Sequence, residues 1–311
     1  MDKISLEDLF DRRLTFPDFS AQKRFGRLVG LDGEKARLTK ILSVLIDRTS
    51  LRAWGSKHHP NADGLMDFVE RRPPLVLLAG DVGTGKTELA ETVGDGVARQ
   101  LSLEVTLFPL SLATRGSGRV GEMTKLIAAA FHEAASHAQK MKRTNGRAAG
   151  GVILLIDEAD ALAQSRETSQ MHHEDRAGVN AFIRGVDRLA EEQLPAAVMM
   201  CTNRLSAIDP AVQRRAADVM YFSRPNAVQR RSVLEMPLVQ IGFSPAQIGR
   251  IVERTGVNGK RPYGFTYSDL TQRFLPALVL DAYPADKITF ARAEAILDQL
   301  EPTPPFREGG K

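Results

Sequence analysis

Eight consecutive residues constrain this chain more than any others. Gly80-Asp81-Val82-Gly83-Thr84-Gly85-Lys86-Thr87 matches G-x-x-x-x-G-K-[ST] without a mismatch. The pattern alone is only moderately specific, because a glycine-rich turn between strand and helix can form with no ligand. Its setting makes it specific. The apolar run Leu75 to Ala79 precedes it and a helical pattern opens at Lys86. That order aims backbone N–H groups and the positive end of a helix dipole at one anion. Gly83 and Gly85 can take φ values that a side chain forbids. Lys86 suits the β- and γ-phosphates of a nucleoside triphosphate, and the Thr87 hydroxyl suits Mg²⁺.

A strand feeding such a loop needs neighbours, and the sequence supplies them. After Leu75 to Ala79, β-prone runs recur at Val105 to Leu110, Val152 to Ile156, Ala197 to Cys201 and Val219 to Phe222. Helix-like stretches lie between them near 86–100, 120–139, 175–192 and 209–216. This alternation predicts a parallel sheet with helices on both faces. Residues 1–74 are less regular, with a helix expected from Asp32 to Arg48 and a surface loop from Gly55 to Gly64, which holds Pro60. Past Pro225 the strand patterns fade, and helices are expected at 226–235, 244–255, 267–282 and 290–300. The reading is an N-terminal segment over 1–74, an α/β domain over 75–224 and a helical domain over 225–301. A tail over 302–311, rich in proline and glycine, is expected to fray.

Val152-Ile153-Leu154-Leu155-Ile156 leads into Asp157-Glu158. A lone strand ending in two carboxylates is often only a polar exit from a core. In an open α/β sheet, however, ligands bind at the C-terminal ends of the strands. Behind a complete phosphate loop, Asp157 therefore suits the Mg²⁺ shell and Glu158 suits orienting or deprotonating an attacking water. Asn203, at the end of the next apolar run, can place that water, although asparagine is also a common turn former. Met171-His172-His173-Glu174-Asp175 offers four ligand types in direct succession, which cannot all turn to one ion, and reads as a solvated loop.

Composition narrows the field further. The 42 basic and 38 acidic residues leave a net charge of +4, spread along the chain and not gathered as a nucleic-acid face requires. No apolar run is long enough to span a bilayer, and Met1-Asp2-Lys3-Ile4 lacks the start of a signal peptide. A single cysteine, Cys201, permits no internal disulfide and fits a reducing interior. The expectation is a cytoplasmic protein.

Taken together, the motifs resemble those of AAA+ ATPases over residues 24–280. The segment from Phe25 through Gly30-Leu31-Asp32 is similar to the stretch whose backbone brackets adenine in that family. Gly80 to Thr87 resembles its nucleotide loop, Asp157 and Glu158 its acidic motif, and Asn203 its polar sensor. Arg176 through Asn180-Ala181 resembles its R-x-x-x-N helix. Asp209-Pro210-Ala211 with Arg214-Arg215 resembles the helix whose arginine enters a neighbouring subunit. The resemblance implies ATP with Mg²⁺, an ATPase reaction, and a homo-oligomeric ring.

Within that superfamily, Asp209 through Arg215-Ala216-Ala217-Asp218 looks most similar to the pachytene-checkpoint remodellers, in which Arg215 takes the finger position ahead of Arg214. Those proteins are hexamers that convert folded HORMA domains from a closed to an open form. Bacterial members work beside HORMA proteins and nucleotide cyclases in antiphage signalling. The resemblance therefore implies a HORMA-domain partner, a cyclase reached through it, and no membrane or nucleic-acid role. The alternative is a DNA-linked AAA+ ATPase of the loader or initiator type. A third reading, a nucleotide-dependent scaffold without turnover, is opposed by Lys86, Asp157, Glu158 and Asn203 all being present.

Three positions depart from the family pattern. The loop from Thr114 to Glu122 aligns with a central-pore loop, but Arg119 stands beside Val120 where threading members carry an aromatic residue. No arginine occurs around Tyr263 to Asp269 to serve as the lid-domain sensor, and Arg273 is the nearest downstream candidate. The stretch before the phosphate loop is shorter than the substrate-recruiting domain that eukaryotic relatives carry, and the expectation is an adaptor or direct docking of the partner instead.

Overall fold

The structure is a computed structural model that describes residues 9–10, 12–111, 122–142, 148–162, 172–259 and 261–306. By their contacts these fall into two units. The first holds the residues up to Phe25, Gly33–Ala79 and Thr87–Tyr221; the second holds Gly26–Asp32, Gly80–Lys86 and the chain from Phe222.

The first unit is built on a sheet of order β1-β3-β4-β5-β2-β6. The strands are β1 (Leu14–Phe16), β2 (Leu75–Gly80), β3 (Glu104–Ser111), β4 (Gly150–Asp157), β5 (Ala196–Thr202) and β6 (Ala216–Phe222). The pairs β3–β4, β4–β5 and β2–β5 are parallel, as the alternation predicts, while β1 adds an antiparallel edge against β3. Strand β4 is buried from Gly150 through Ile156, as expected of a strand covered on both faces.

Alternate residues of each strand serve opposite faces. On one face Leu77, Phe108, Leu154, Ile156 and Val198 join a core with Ile127 and Phe131 of α6 (Glu122–Met141) and Val179 and Phe182 of α7 (His172–Glu191). The rings of Phe131 and Phe182 meet edge to face at 5.4 Å. Truncating a fully buried phenylalanine such as Phe182 would cost about 3–5 kcal/mol. On the other face, Ile46 of α2 (Asp32–Ile46) lies over Gly151, and Phe16 lies against Gly94 of α5 (Lys86–Leu101).

Between β1 and β2 also come α1 (Phe19–Arg27), α3 (Arg48–His58) and α4 (Asp63–Glu70). Helix α3 overturns the loop expected from Gly55. Asp47 caps it by accepting the N–H of Thr49, and the helix then runs through Gly55 to His58. Likewise His172 to Asp175 form the first turn of α7, where a solvated loop was expected.

The second unit carries α9 (Ala227–Gln240), α10 (Pro245–Arg254), a π-helical turn (Asp269–Phe274) leading into α11 (Leu275–Ala282), and α12 (Phe290–Gln299). A short α8 (Pro210–Gln213) precedes β6 in the first unit. Helices α9 and α10 begin with reciprocal capping boxes, Asn226 with Gln229 and Ser244 with Gln247. The pattern at 226–235 stops short of Pro237, but α9 continues through it and buries Leu238. The tail is bonded as far as Phe306, where fraying from Pro302 was expected: Thr303 donates its N–H (3.0 Å) and its hydroxyl (2.7 Å) to the buried Asp269.

Candidate nucleotide site

Parallel pairing with β5 in the middle fixes where the acidic pair stands. Met200 of β5 lies opposite Ile156 of β4, and Thr202 lies opposite Ala79 of β2. Asp157, Thr202 and the end of β2 thus share the C-terminal edge of the sheet. Strand β2 runs into the loop, and Thr87 in the first turn of α5 returns to the first unit.

In that unit the Thr87 hydroxyl donates to Asp157 Oδ1 at 3.3 Å, and the Glu158 N–H donates to the same oxygen at 2.9 Å. Burial raises the Asp157 carboxyl above the usual carboxylate range. The two donated hydrogen bonds oppose the rise, while Glu158 and Glu91 add to it by charge repulsion. A half-buried carboxylate beside a hydroxyl, with a second carboxylate next in sequence, is a hard-oxygen donor set that fits Mg²⁺. Glu158 itself is held at φ 53, the left-handed region, at a cost of about 1–2 kcal/mol for a non-glycine residue. Strain of this kind clusters at functional positions.

The phosphate loop is arranged within the second unit. Lys86 is buried, and its ammonium donates to the carbonyls of Gly80 (2.9 Å) and Asp81 (2.7 Å). Thr84 donates its hydroxyl to Asp81 O at 2.7 Å, and Val82 donates its N–H to the Asp81 carboxylate at 2.9 Å. Gly83 and Gly85 take φ 71 and 92. A Cβ on Gly83 would lie 2.7 Å from the Thr266 hydroxyl, and one on Gly85 would lie 2.9 Å from Leu31 Cδ1. Leu31 is thereby brought against the loop. The carbonyl of Gly30 accepts from Gln229 (2.9 Å) and from the Tyr267 hydroxyl (3.1 Å).

Asn203 stands just beyond the tip of β5, where its N–H donates to Asp160 Oδ2 at 3.1 Å. Asp160 is a residue that sequence reasoning missed. It also accepts the Thr202 hydroxyl and the Arg204 N–H, so one carboxylate organises the whole turn after β5. Its place three positions after Asp157 is the only signal that could have marked it.

Arg215 lies in the first unit with a bidentate hold on Asp187 of α7, at 2.8 and 3.0 Å, and a third bond to Ala211 O at 3.2 Å. Arg214 is exposed. Arg273 donates to Asp269 (2.8 Å) and to Glu301 O (2.8 Å). Arg119 and Val120 fall outside the described residues, and so does the side chain of Arg176. Among the described residues, no helix is long and apolar enough to cross a membrane.

Against this geometry, a model of the ATPase family associated with various cellular activities (AAA) matches residues 76–224. CD-NTase-associated protein 6 of Escherichia coli (strain MS 115-1) is 57% identical over 304 residues, which cover 98% of each chain. Among solved structures, a chain of the E. coli MS115-1 HORMA:CdnC:Trip13 complex superposes with a TM-score of 0.89 and 55% identity, covering 97% of this chain and 99% of its own. Rhizobiales Trip13 superposes with a TM-score of 0.76 and 50% identity, covering 96% and 100%.

Proposed function

Because this chain belongs to the AAA family of ATPases, in the group of CD-NTase-associated protein 6, we propose that it hydrolyses ATP to remodel a folded HORMA-domain protein. The observation that carries the chemistry is the Thr87–Asp157 contact at the C-terminal sheet edge, with Glu158 next in the chain. In this reading Gly80 to Thr87 wrap the phosphates, and Lys86 turns its ammonium from loop carbonyls to the β- and γ-phosphates. Gly30 and Leu31 flank the base. Thr87 and Asp157 would hold Mg²⁺, which when bound neutralises phosphate charge. Glu158 takes a proton from the attacking water or orients it, and Asn203 places that water.

The charge that develops on the transferred phosphoryl group needs a further cation, and Arg215 of a neighbouring subunit, with Arg214 beside it, supplies one. Because one copy's arginine serves another copy's site, the contact between copies is heterologous and closes into a ring, here a hexamer. Arg119 and Val120 grip the substrate. The partner assignment is supported by the 55% identical chain whose structure is a HORMA:CdnC:Trip13 complex. It extends to a nucleotide cyclase reached through the HORMA protein, in a cytoplasmic antiphage system.

Purified protein should turn over ATP, and the HORMA-domain protein of its own host should raise the rate. Acceleration by DNA with none by the HORMA protein would overturn the partner assignment. Absence of turnover with either would overturn the reaction.

A further inference from the structure

Asp81 poses a problem within the loop. It is the second residue of a segment built to surround a polyanion, yet its side chain is a carboxylate, and an unbalanced negative charge there opposes triphosphate binding. The structure balances it. Arg224 Nε donates to Asp81 Oδ2 at 2.6 Å, and the Phe306 N–H donates to Oδ1 at 3.2 Å. Only 14% of the arginine side chain and 17% of the aspartate side chain are exposed, so water screens the pair weakly.

The guanidinium has no freedom to leave. Its Nη1 donates to Gly264 O and its Nη2 to Thr303 O, each at 2.7 Å, and it lies 4.9 Å from the centroid of the Tyr263 ring. Thr303 is fixed in turn to Asp269, whose carboxyl lies below the usual range. Burial alone would raise it, but hydrogen bonds from Thr266, Thr303 and Arg273 outweigh that effect. The same region reaches the loop again through the Ser268 N–H, which donates to Gly83 O at 3.1 Å.

We infer that Arg224 is a positioning residue for nucleotide binding: it neutralises Asp81 and fastens the phosphate loop to the strap 301–306 and to residues 263–269. The inference rests on reading Gly80 to Thr87 as the nucleotide loop. A planar fork with three separately placed donors does this work, and a lysine ammonium on a flexible stem cannot reproduce it.

The test is the Kd of the full-length protein for a fluorescent, slowly hydrolysed ATP analogue with Mg²⁺, alongside thermal unfolding of each variant. Arg224→Met should weaken binding by about tenfold, the equivalent of 1.4 kcal/mol. Asp81→Asn should tighten it about threefold, since one repelling charge is gone and Arg224 is left facing the loop. The double variant should regain most of what Arg224→Met loses, because the charge that needed balancing is absent. A role confined to folding predicts no such rescue. The inference is overturned if Arg224→Met binds like the parent, if the double variant is as weak as Arg224→Met, or if Asp81→Asn alone weakens binding. Should Arg224→Met fail to fold, the sign of the Asp81→Asn effect still decides. If the parent protein binds no ATP analogue, the reading of the loop fails first and takes the inference with it.

Discussion

The phosphate loop and the Arg214–Arg215 corner are prepared for chemistry in opposite ways. In the loop the gripping groups are held by their own segment: Lys86 by the carbonyls of Gly80 and Asp81, and Thr84 by Asp81 O. At the corner, Arg215 is held by Asp187, a residue of another helix that has no part in the proposed chemistry. That pair is about a third exposed on each side, 33% and 36%, a setting in which ion pairs contribute about 0–1 kcal/mol. The difference is instructive. The groups proposed to meet a ligand inside one protomer are held within the loop itself, so that Lys86 has only to turn from the loop's own carbonyls. The arginine proposed to act across a subunit boundary is instead parked on a carboxylate distant in sequence, which it can exchange cheaply.

The largest effect should come from Glu158→Gln. Turnover should fall by about 10²–10⁴-fold, the usual weight of a positioned base, while ATP affinity stays within a few-fold. A loss of affinity as large as the loss of rate would place Glu158 among the gripping groups and erase the contrast.

Next in size is Arg215→Ala. About a 10³-fold drop in turnover is expected, with nucleotide affinity preserved. The sharper measurement mixes two inactive proteins, Glu158→Gln and Arg215→Ala. A ring assembled from both contains boundaries with an intact Glu158 facing an intact Arg215, so activity should partly return. No recovery at any ratio would mean that both residues act within one subunit.

Asp160→Asn is expected to slow turnover by about tenfold and to lower stability by about 1–3 kcal/mol, because Asp160 accepts three donors around the β5 tip and an amide cannot replace a charged acceptor. Thermal unfolding and kcat can be read on the same sample. An unchanged kcat with lowered stability would separate the β5 turn from water placement.

Smallest is Asp187→Asn. Stability should move by less than about 1 kcal/mol and turnover by no more than a few-fold, since each side of the pair is about a third exposed. If turnover instead falls as far as in Arg215→Ala, Asp187 is aiming the arginine, and the parking picture is wrong.

What the sequence made legible follows the range of the physics involved. Strands β2, β3, β4 and β5 were readable because each is a run of apolar residues covered on both faces, visible with no knowledge of its partners. Strand β6, with Tyr221 exposed, was readable only through the β-prone run at its end. Strand β1 was not, because Leu14–Phe16 is too short to establish a period and is recruited by the edge of β3. Helix α3 was hidden by the polarity of Gly55 to His59 and by an unread cap at Asp47.

The site divides the same way. Gly80 to Thr87 is a local motif whose geometry lies within eight residues. Asp160, Arg224 and Asp187 act on Thr202, Asp81 and Arg215, which lie 42, 143 and 28 positions away. No local pattern encodes such contacts. Strand register and chain return create them, so they come into view only with the fold.

The strap at 301–306 reaches Asp81 and Arg224 through main-chain atoms, the N–H of Phe306 and the carbonyl of Thr303. Because neither contact depends on side-chain identity, most substitutions at 306 would leave the fastening to the loop intact, and those at 303 would give up only the hydroxyl bond to Asp269 while the N–H still donates there. Relatives could therefore diverge freely there while keeping the same grip, and a comparison of letters would pass over it. Proline at 306 is the exception, since it alone removes the donor.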